Sequence, residues 1–96
     1  MSKVKTMSDA MVLKVMKTEW RTGMKAYVAE AFGGQYDSWN DYADAFRDEV
    51  HEYNHYMQDF RPMRVTEASI KRALKVMRPI VQAEVDKELA KIANRF

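Results

Sequence analysis

Cysteine is absent from this chain of 96 residues. That excludes a disulfide framework and any thiolate metal site, and removes the usual mark of a secreted domain. Long hydrophobic runs are also missing. A membrane-crossing helix needs roughly 20 consecutive apolar residues, and no stretch here approaches that. The opening Met1-Ser2-Lys3-Val4-Lys5 is basic, but no unbroken apolar segment follows it, so no signal peptide is expected and the cytoplasm is the default location. A large excess of either charge is lacking too. The formal net charge is +2, so bulk charge alone predicts no nucleic-acid partner. Only three glycines and two prolines occur, all at punctuation points.

What is present is apolar and helical in period. The hydrophobic fraction of 47% excludes intrinsic disorder, and the length suits one domain, residues 1–96. Gly33-Gly34 and Pro62 divide the chain into three segments with helical periodicity. In the first, Ser8 is a suitable N-cap with Asp9 in the first turn. Val12, Met16, Trp20, Met24, Tyr27, Val28 and Ala31 then recur every three to four residues. Gly23 weakens that helix locally, and Gly33-Gly34 supplies its stop. In the second, Ser38 and Asp41 resemble a capping box. Trp39, Ala43, Phe46, Val50, Tyr53, Met57 and Phe60 form its seam, with Tyr42 and Tyr56 along one edge. In the third, Thr66 is the N-cap, and Ile70, Leu74, Met77, Val81, Val85, Leu89 and Ile92 form the stripe. The sequence therefore predicts an all-α fold: a small antiparallel bundle of three helices, roughly 9–32, 39–60 and 66–94. Pro79 removes a backbone donor inside the last, so that helix is expected to be kinked or split there. No segment alternates with a period of two, and no sheet is expected.

Charge is segregated along the chain. Residues 1–26 carry six Lys/Arg against Asp9 and Glu19, residues 37–59 carry seven Asp/Glu against Arg47, and residues 61–78 carry six Lys/Arg against Glu67. One explanation is attraction between neighbouring helices; the other is a basic face meant for an acidic partner. With Leu74 at zero and 100° per residue, Lys71, Arg72, Lys75 and Arg78 cover about 40° to 160°, beside the apolar stripe.

Two stretches resemble known motifs. His51-Glu52-Tyr53-Asn54-His55 matches HExxH and resembles the core motif of zinc metallopeptidases. That resemblance implies His51 and His55 as zinc ligands and Glu52 as general base. Glu67 and Glu84 are candidate third ligands. On the helical wheel both histidines fall with Asp48 and Glu52 on the polar side, so a solvated face is the expected setting and neither a metal nor a cofactor is assigned. The span from Tyr36-Asp37-Ser38-Trp39 to Tyr53-Asn54-His55 also looks somewhat like the helical tail of integrase-type transposase cores. The catalytic carboxylates of that fold lie on strands not expected here. Separately, residues 66–74 read like the recognition helix of a helix-turn-helix protein, with Arg61, Arg64, Lys71, Arg72, Lys75 and Arg78 able to contact phosphates.

Eight methionines and eleven aromatics mostly occupy the apolar stripes, but Tyr36, Tyr42, Tyr56 and Met63 lie at their edges. Tyr, Met and Arg are enriched at protein interfaces. The leading expectation is a non-enzymatic binding protein that modulates or inhibits another protein complex, in the manner of phage or mobile-element proteins that block host enzymes. Its contact residues would be Arg61, Met63, Arg64, Lys71, Arg72, Lys75 and Arg78, with Tyr42, Tyr53 and Tyr56 as anchors. A DNA-binding regulator using residues 66–78 and a zinc hydrolase are the alternatives, and a homodimer is compatible with the first reading.

Overall fold

A computed structural model of the chain describes residues 4–30, 38–57 and 61–93, excepting the side chains of residues 29, 30 and 92. The expectations for Ala31, Gly33-Gly34, Tyr36, Asp37, Phe60 and Ile92 lie outside these. The described part is all-α. Helix α1 spans Asp9–Glu19, continues through a π turn at Trp20–Met24, and resumes as α2, Lys25–Glu30. Helix α3 spans Trp39–Glu52 and runs into a second π turn, Tyr53–Met57. Helix α4 spans Glu67–Ala93.

The capping residues act as the sequence implies. Ser8 has extended backbone, and its Oγ accepts from the Met11 N–H at 3.2 Å. The Asp41 carboxylate accepts from the Ser38 N–H at 3.1 Å, fixing the entry to α3. Thr66 Oγ1 accepts from the Ser69 N–H at 3.2 Å. Gly23 falls inside the first π turn, so the local weakness expected there is a widening of the helix rather than a break. α4 passes through Pro79 as one helix of 27 residues, so it is not split. Pro79 is exposed, on a side of α4 where the Lys75 carbonyl, deprived of its helical donor, can be met by water.

Contacts between the helices give their directions. Asp9 meets Ser69 and Arg72 near the start of α1 and α4, and Lys25 of α2 meets Glu84 farther along α4, so the α1–α2 run and α4 are parallel. α3 is antiparallel to them: Trp20 packs on Tyr42 and Phe46, Arg47 reaches Glu67, and Trp39 reaches Arg78. A short parallel bridge leads into the α1–α4 pair. The Met7 N–H donates to the Arg64 carbonyl at 2.8 Å, and the Arg64 N–H donates to the Lys5 carbonyl at 2.7 Å. This isolated bridge is the β-type pairing found among the described residues.

The core is shared by all three helices. Val12, Met16 and Met24 come from the first, Phe46 and Val50 from the second, and Ile70, Met77 and Val81 from the third; each is almost fully buried. Met7, from the bridge segment, closes one end. Trp20 stands against the Tyr42 ring at 6.1 Å in an edge arrangement and against Phe46 at 6.4 Å, geometry that adds to the burial energy of such rings.

Candidate functional site

The bundle has three seams, and they differ in charge and closure. The α1–α4 seam is crossed by ion pairs. Asp9 accepts from Arg72 Nε at 2.7 Å and from its second terminal nitrogen at 3.1 Å, and also from Ser69 Oγ at 2.5 Å. These bonds favour the charged carboxylate, and the Arg72 guanidinium beside Asp9 holds its pKa down at about 2. Lys25 and Glu84, 3.9 Å apart, mark the other end of the seam.

The α3–α4 seam is different. Near the start of α4 it is crossed by Arg47, which bonds Glu67 at 2.7 Å. One helical stretch farther on it opens into a groove of about 500 Å³. Lys71, Lys75 and Arg78 line it from α4, with Leu74 and Pro79 between them and Trp39 opposite. The Arg78 guanidinium carbon lies 5.7 Å from the centre of the Trp39 ring, a cation–π contact of roughly 0.5–1 kcal/mol at an exposed site. Among the described residues, no carboxylate lines this groove. The register explains how these groups meet: antiparallel packing sets the first residue of α3 level with the middle of α4.

The structure thus divides the residues singled out in the sequence. Lys71, Lys75 and Arg78 are brought together. Arg72, on the same helical face, is turned to Asp9. Arg61 and Arg64 are exposed in the segment before α4, with the Arg64 backbone engaged in the bridge. Met63 is half-buried, and its backbone is held from α3: Asn54 Nδ2 donates to its carbonyl at 2.6 Å and its N–H donates to Asn54 Oδ1 at 2.7 Å. Tyr42 is drawn into the core at 7% exposure, so in this fold it presents no surface to a partner. Tyr53 and Tyr56 lie on the α1–α3 seam, away from the basic groove. Trp39 was read as core from its place on the α3 stripe. The signal for its second role is positional, because a tryptophan directly after the cap of an antiparallel helix stands beside the partner helix's middle turns.

The HExxH stretch ends differently from a zinc helix. His51 and His55 are exposed, and the π turn at Tyr53–Met57 interrupts the regular helix between them. The His55 ring lies edge-on to Tyr56 at 4.7 Å. Both nominated third ligands are engaged by bases, Glu67 by Arg47 and Glu84 by Lys25. Among the described residues, no three His, Cys, Asp or Glu side chains are grouped so as to hold a metal ion. No described helix is long and apolar enough to cross a membrane.

No family model, curated protein or solved structure matches this chain.

Proposed function

We propose that this protein is a non-enzymatic binding module whose basic groove receives an acidic segment of a partner protein and thereby modulates that partner. The observation that carries the reading is the grouping of Lys71, Lys75 and Arg78 with Trp39 in one groove, with no carboxylate among its described lining residues. None of these three bases has an ion pair among the described residues. Three cations converging on one groove attract a chain of carboxylates and accelerate its encounter. The indole and the aliphatic stems of Leu74 and Pro79 give an apolar surface for the side chains between those carboxylates. Among the described residues, the lining of the groove is made of bases, an indole, aliphatic groups and the Gln82 amide, groups suited to holding a segment.

The choice of a protein over duplex DNA follows from what surrounds the start of α4. A recognition helix reads bases through its N-terminal residues, and its preceding helix crosses it steeply. Here Ser69 and Ile70 are buried, Arg72 is bound to Asp9, and the acidic α3 lies antiparallel along α4.

The test compares two variants of equal charge. Lys71→Glu/Lys75→Glu reverses the groove, whereas Lys17→Glu/Lys87→Glu reverses exposed bases outside it. Tagged wild type and the second variant should retain the same proteins from a host lysate, and the first should lose them at least tenfold. Equal retention by all three, or no enrichment by wild type, would overturn the reading. Duplex DNA titrated from low to moderate salt is the companion measurement: steep, salt-dependent binding lost in the groove variant would assign the face to nucleic acid instead.

A further inference from the structure

The third seam, between α1 and α3, is also open, and its charge is opposite. A cavity of about 620 Å³ lies there, and no α4 residue lines it. Its lining extends from Met11 to Glu19 on the first helix and from Glu49 to Met57 on the second. Eight residue steps at 1.5 Å make it about 12 Å long, close to two helical turns. The floor is apolar, made by Met11, Val15 and Tyr53. At one end Tyr56 and Met57 are 65% and 70% exposed, an unusual state for two large apolar groups side by side at a cavity mouth. The second π turn places them there.

Glu19, Glu49 and Glu52 line the same groove against one base, Lys14, so its lining is acidic on balance. Glu49 is pushed above the ordinary carboxyl range, first by burial and then by the neighbouring Glu19 and Glu52 charges. A cation placed among these carboxylates would relieve both effects, replacing lost hydration and opposing the repulsion. Two further facts narrow the occupant. These carboxylates do not form a metal-holding group among the described residues, and the groove is a seam between two antiparallel helices, where a fourth helix would complete the bundle.

We propose that the α1–α3 groove is a docking site for a basic amphipathic helix of a partner protein. Its apolar residues, one turn apart, would lie on Met11, Val15 and Tyr53 and be capped by Tyr56 and Met57, the last a side chain that adapts to irregular surfaces. A lysine or arginine one turn farther along would reach Glu49 and its neighbours. This is the helix-in-groove mode of recognition. It is independent of the basic groove, because it lies on the α1–α3 seam and not on the α3–α4 seam, and takes a segment of opposite charge.

The probe is a blocked, fluorescein-labelled 14-residue helical peptide of leucine and lysine, with leucines spaced three and four apart. Its counterpart carries glutamate for every lysine. Anisotropy titration against the full chain should show the lysine peptide binding at least tenfold more tightly than the glutamate peptide. Glu49→Gln/Glu52→Gln should weaken it at least tenfold, and so should Tyr56→Ser/Met57→Ser, whose replaced side chains are exposed and leave the core intact. Asp44→Asn/Asp86→Asn removes the same charge outside the groove and should change affinity less than threefold. Equal weakening by the two charge-matched variants would show general attraction and overturn the proposal, as would full affinity in Tyr56→Ser/Met57→Ser. Sedimentation of the unliganded chain supplies a further check. A dimer abolished by Tyr56→Ser/Met57→Ser would give the groove to a second copy and overturn it too.

Discussion

Replacing Asn54 by alanine removes two hydrogen bonds that join the end of the second helix to the segment before α4. The side-chain amide satisfies both backbone groups of Met63, at 2.6 and 2.7 Å, in a half-buried setting. Each such bond has a net worth of roughly 0.5–1.5 kcal/mol, and the Met63 N–H and carbonyl left behind lose only part of it to incoming water. The expected loss is about 2 kcal/mol. In a domain of this size each kcal/mol shifts Tm by roughly 4–8 °C, so Asn54→Ala should melt about 8–16 °C lower. Asn54→Asp is the sharper variant. It keeps an acceptor for the Met63 N–H but sets a carboxylate oxygen against the Met63 carbonyl, so it should be no more stable than the alanine variant at pH 7.

The same experiment bears on the HExxH match. If that stretch is an α3 terminus held to the next segment through Asn54, His51→Ala and His55→Ala should each change stability by less than about 0.5 kcal/mol, as exposed substitutions do. Thermal melts by far-UV circular dichroism, with and without equimolar zinc, decide between the readings. An Asn54→Ala loss below about 0.5 kcal/mol would refute the clamp. A zinc-induced rise in Tm that needs both histidines would refute the reading of the stretch as a structural terminus, because ligand binding to the native state raises its stability.

Phe46 has no exposed surface and packs on Trp20 and Trp39. Phe46→Ala should cost about 3–5 kcal/mol, a large share of the roughly 5–15 kcal/mol available to such a domain, and urea denaturation will show it as a lowered midpoint. Asp9 has its pKa lowered from 3.8 to about 2, so its contribution is present above pH 3.8 and is lost as pH falls toward 2. Asp9→Asn should therefore lie below wild type at neutral pH by a gap that closes across that window; a gap unchanged at pH 2 would contradict the ion-pair account. Glu49 has the opposite sign: with its folded pKa raised above 4.5, it destabilises as pH rises through that raised value. Glu49→Gln should be more stable than wild type at pH 7 and indistinguishable from it below pH 4.5, as read from Tm across the pH range.

How much of this was legible depends on which forces act locally. The caps at Ser8, Ser38 and Thr66 follow from short polar side chains meeting unpaired helix-end amides, which needs only neighbouring residues. The stripes Val12–Met16–Trp20–Met24–Val28 and Ile70–Leu74–Met77–Val81 are buried as their period requires. Three stripe residues are exposed, Tyr27, Met57 and Leu89, and the last two have a tertiary cause. Leu89 is 45% exposed because α3 begins level with Arg78, leaving α2 as the one described helix beside the later turns of α4. Met57 leaves its seam because the π turn breaks the phase of 3.6 residues per turn. Tyr42 was placed at an edge and is buried because Trp20 reaches across from the first helix. The basic groove was half visible: spacing put Lys71, Lys75 and Arg78 on one face, but Trp39 joins them only through the antiparallel register. The α1–α3 groove was not visible, since its walls come from two segments joined by no local rule.

The charge segregation acquires a physical meaning from these seams. Attraction between the blocks would predict pairs between acids of 41–52 and bases of 61–78. Apart from Lys25–Glu84, the pairs that cross between helices are of another kind. Asp9 is one of two acids in its basic segment, Glu67 is the lone acid of the third, and Arg47 is the lone base of the second. Each binds a residue of opposite sign on a neighbouring helix, so these minority charges are the ones matched across the seams. Among the majority charges, Lys71, Lys75 and Arg78 line one open seam while Glu49 and Glu52 line another. Folding alone would be served better by blocks that neutralise each other across their shared seam, because unpaired like charges gathered in a groove repel. Their retention on two separate grooves is what two docked segments of opposite charge would require. Reversing the minority pair as Arg47→Glu/Glu67→Arg should therefore preserve stability within about 0.5 kcal/mol, since exposed pairs contribute little and the swap keeps the attraction. It should leave binding at both grooves unchanged, whereas the majority reversals Lys71→Glu and Lys75→Glu should change binding and leave the melt unmoved. If the majority reversals unfold the protein instead, the segregated charges serve the fold, and the two-groove account fails.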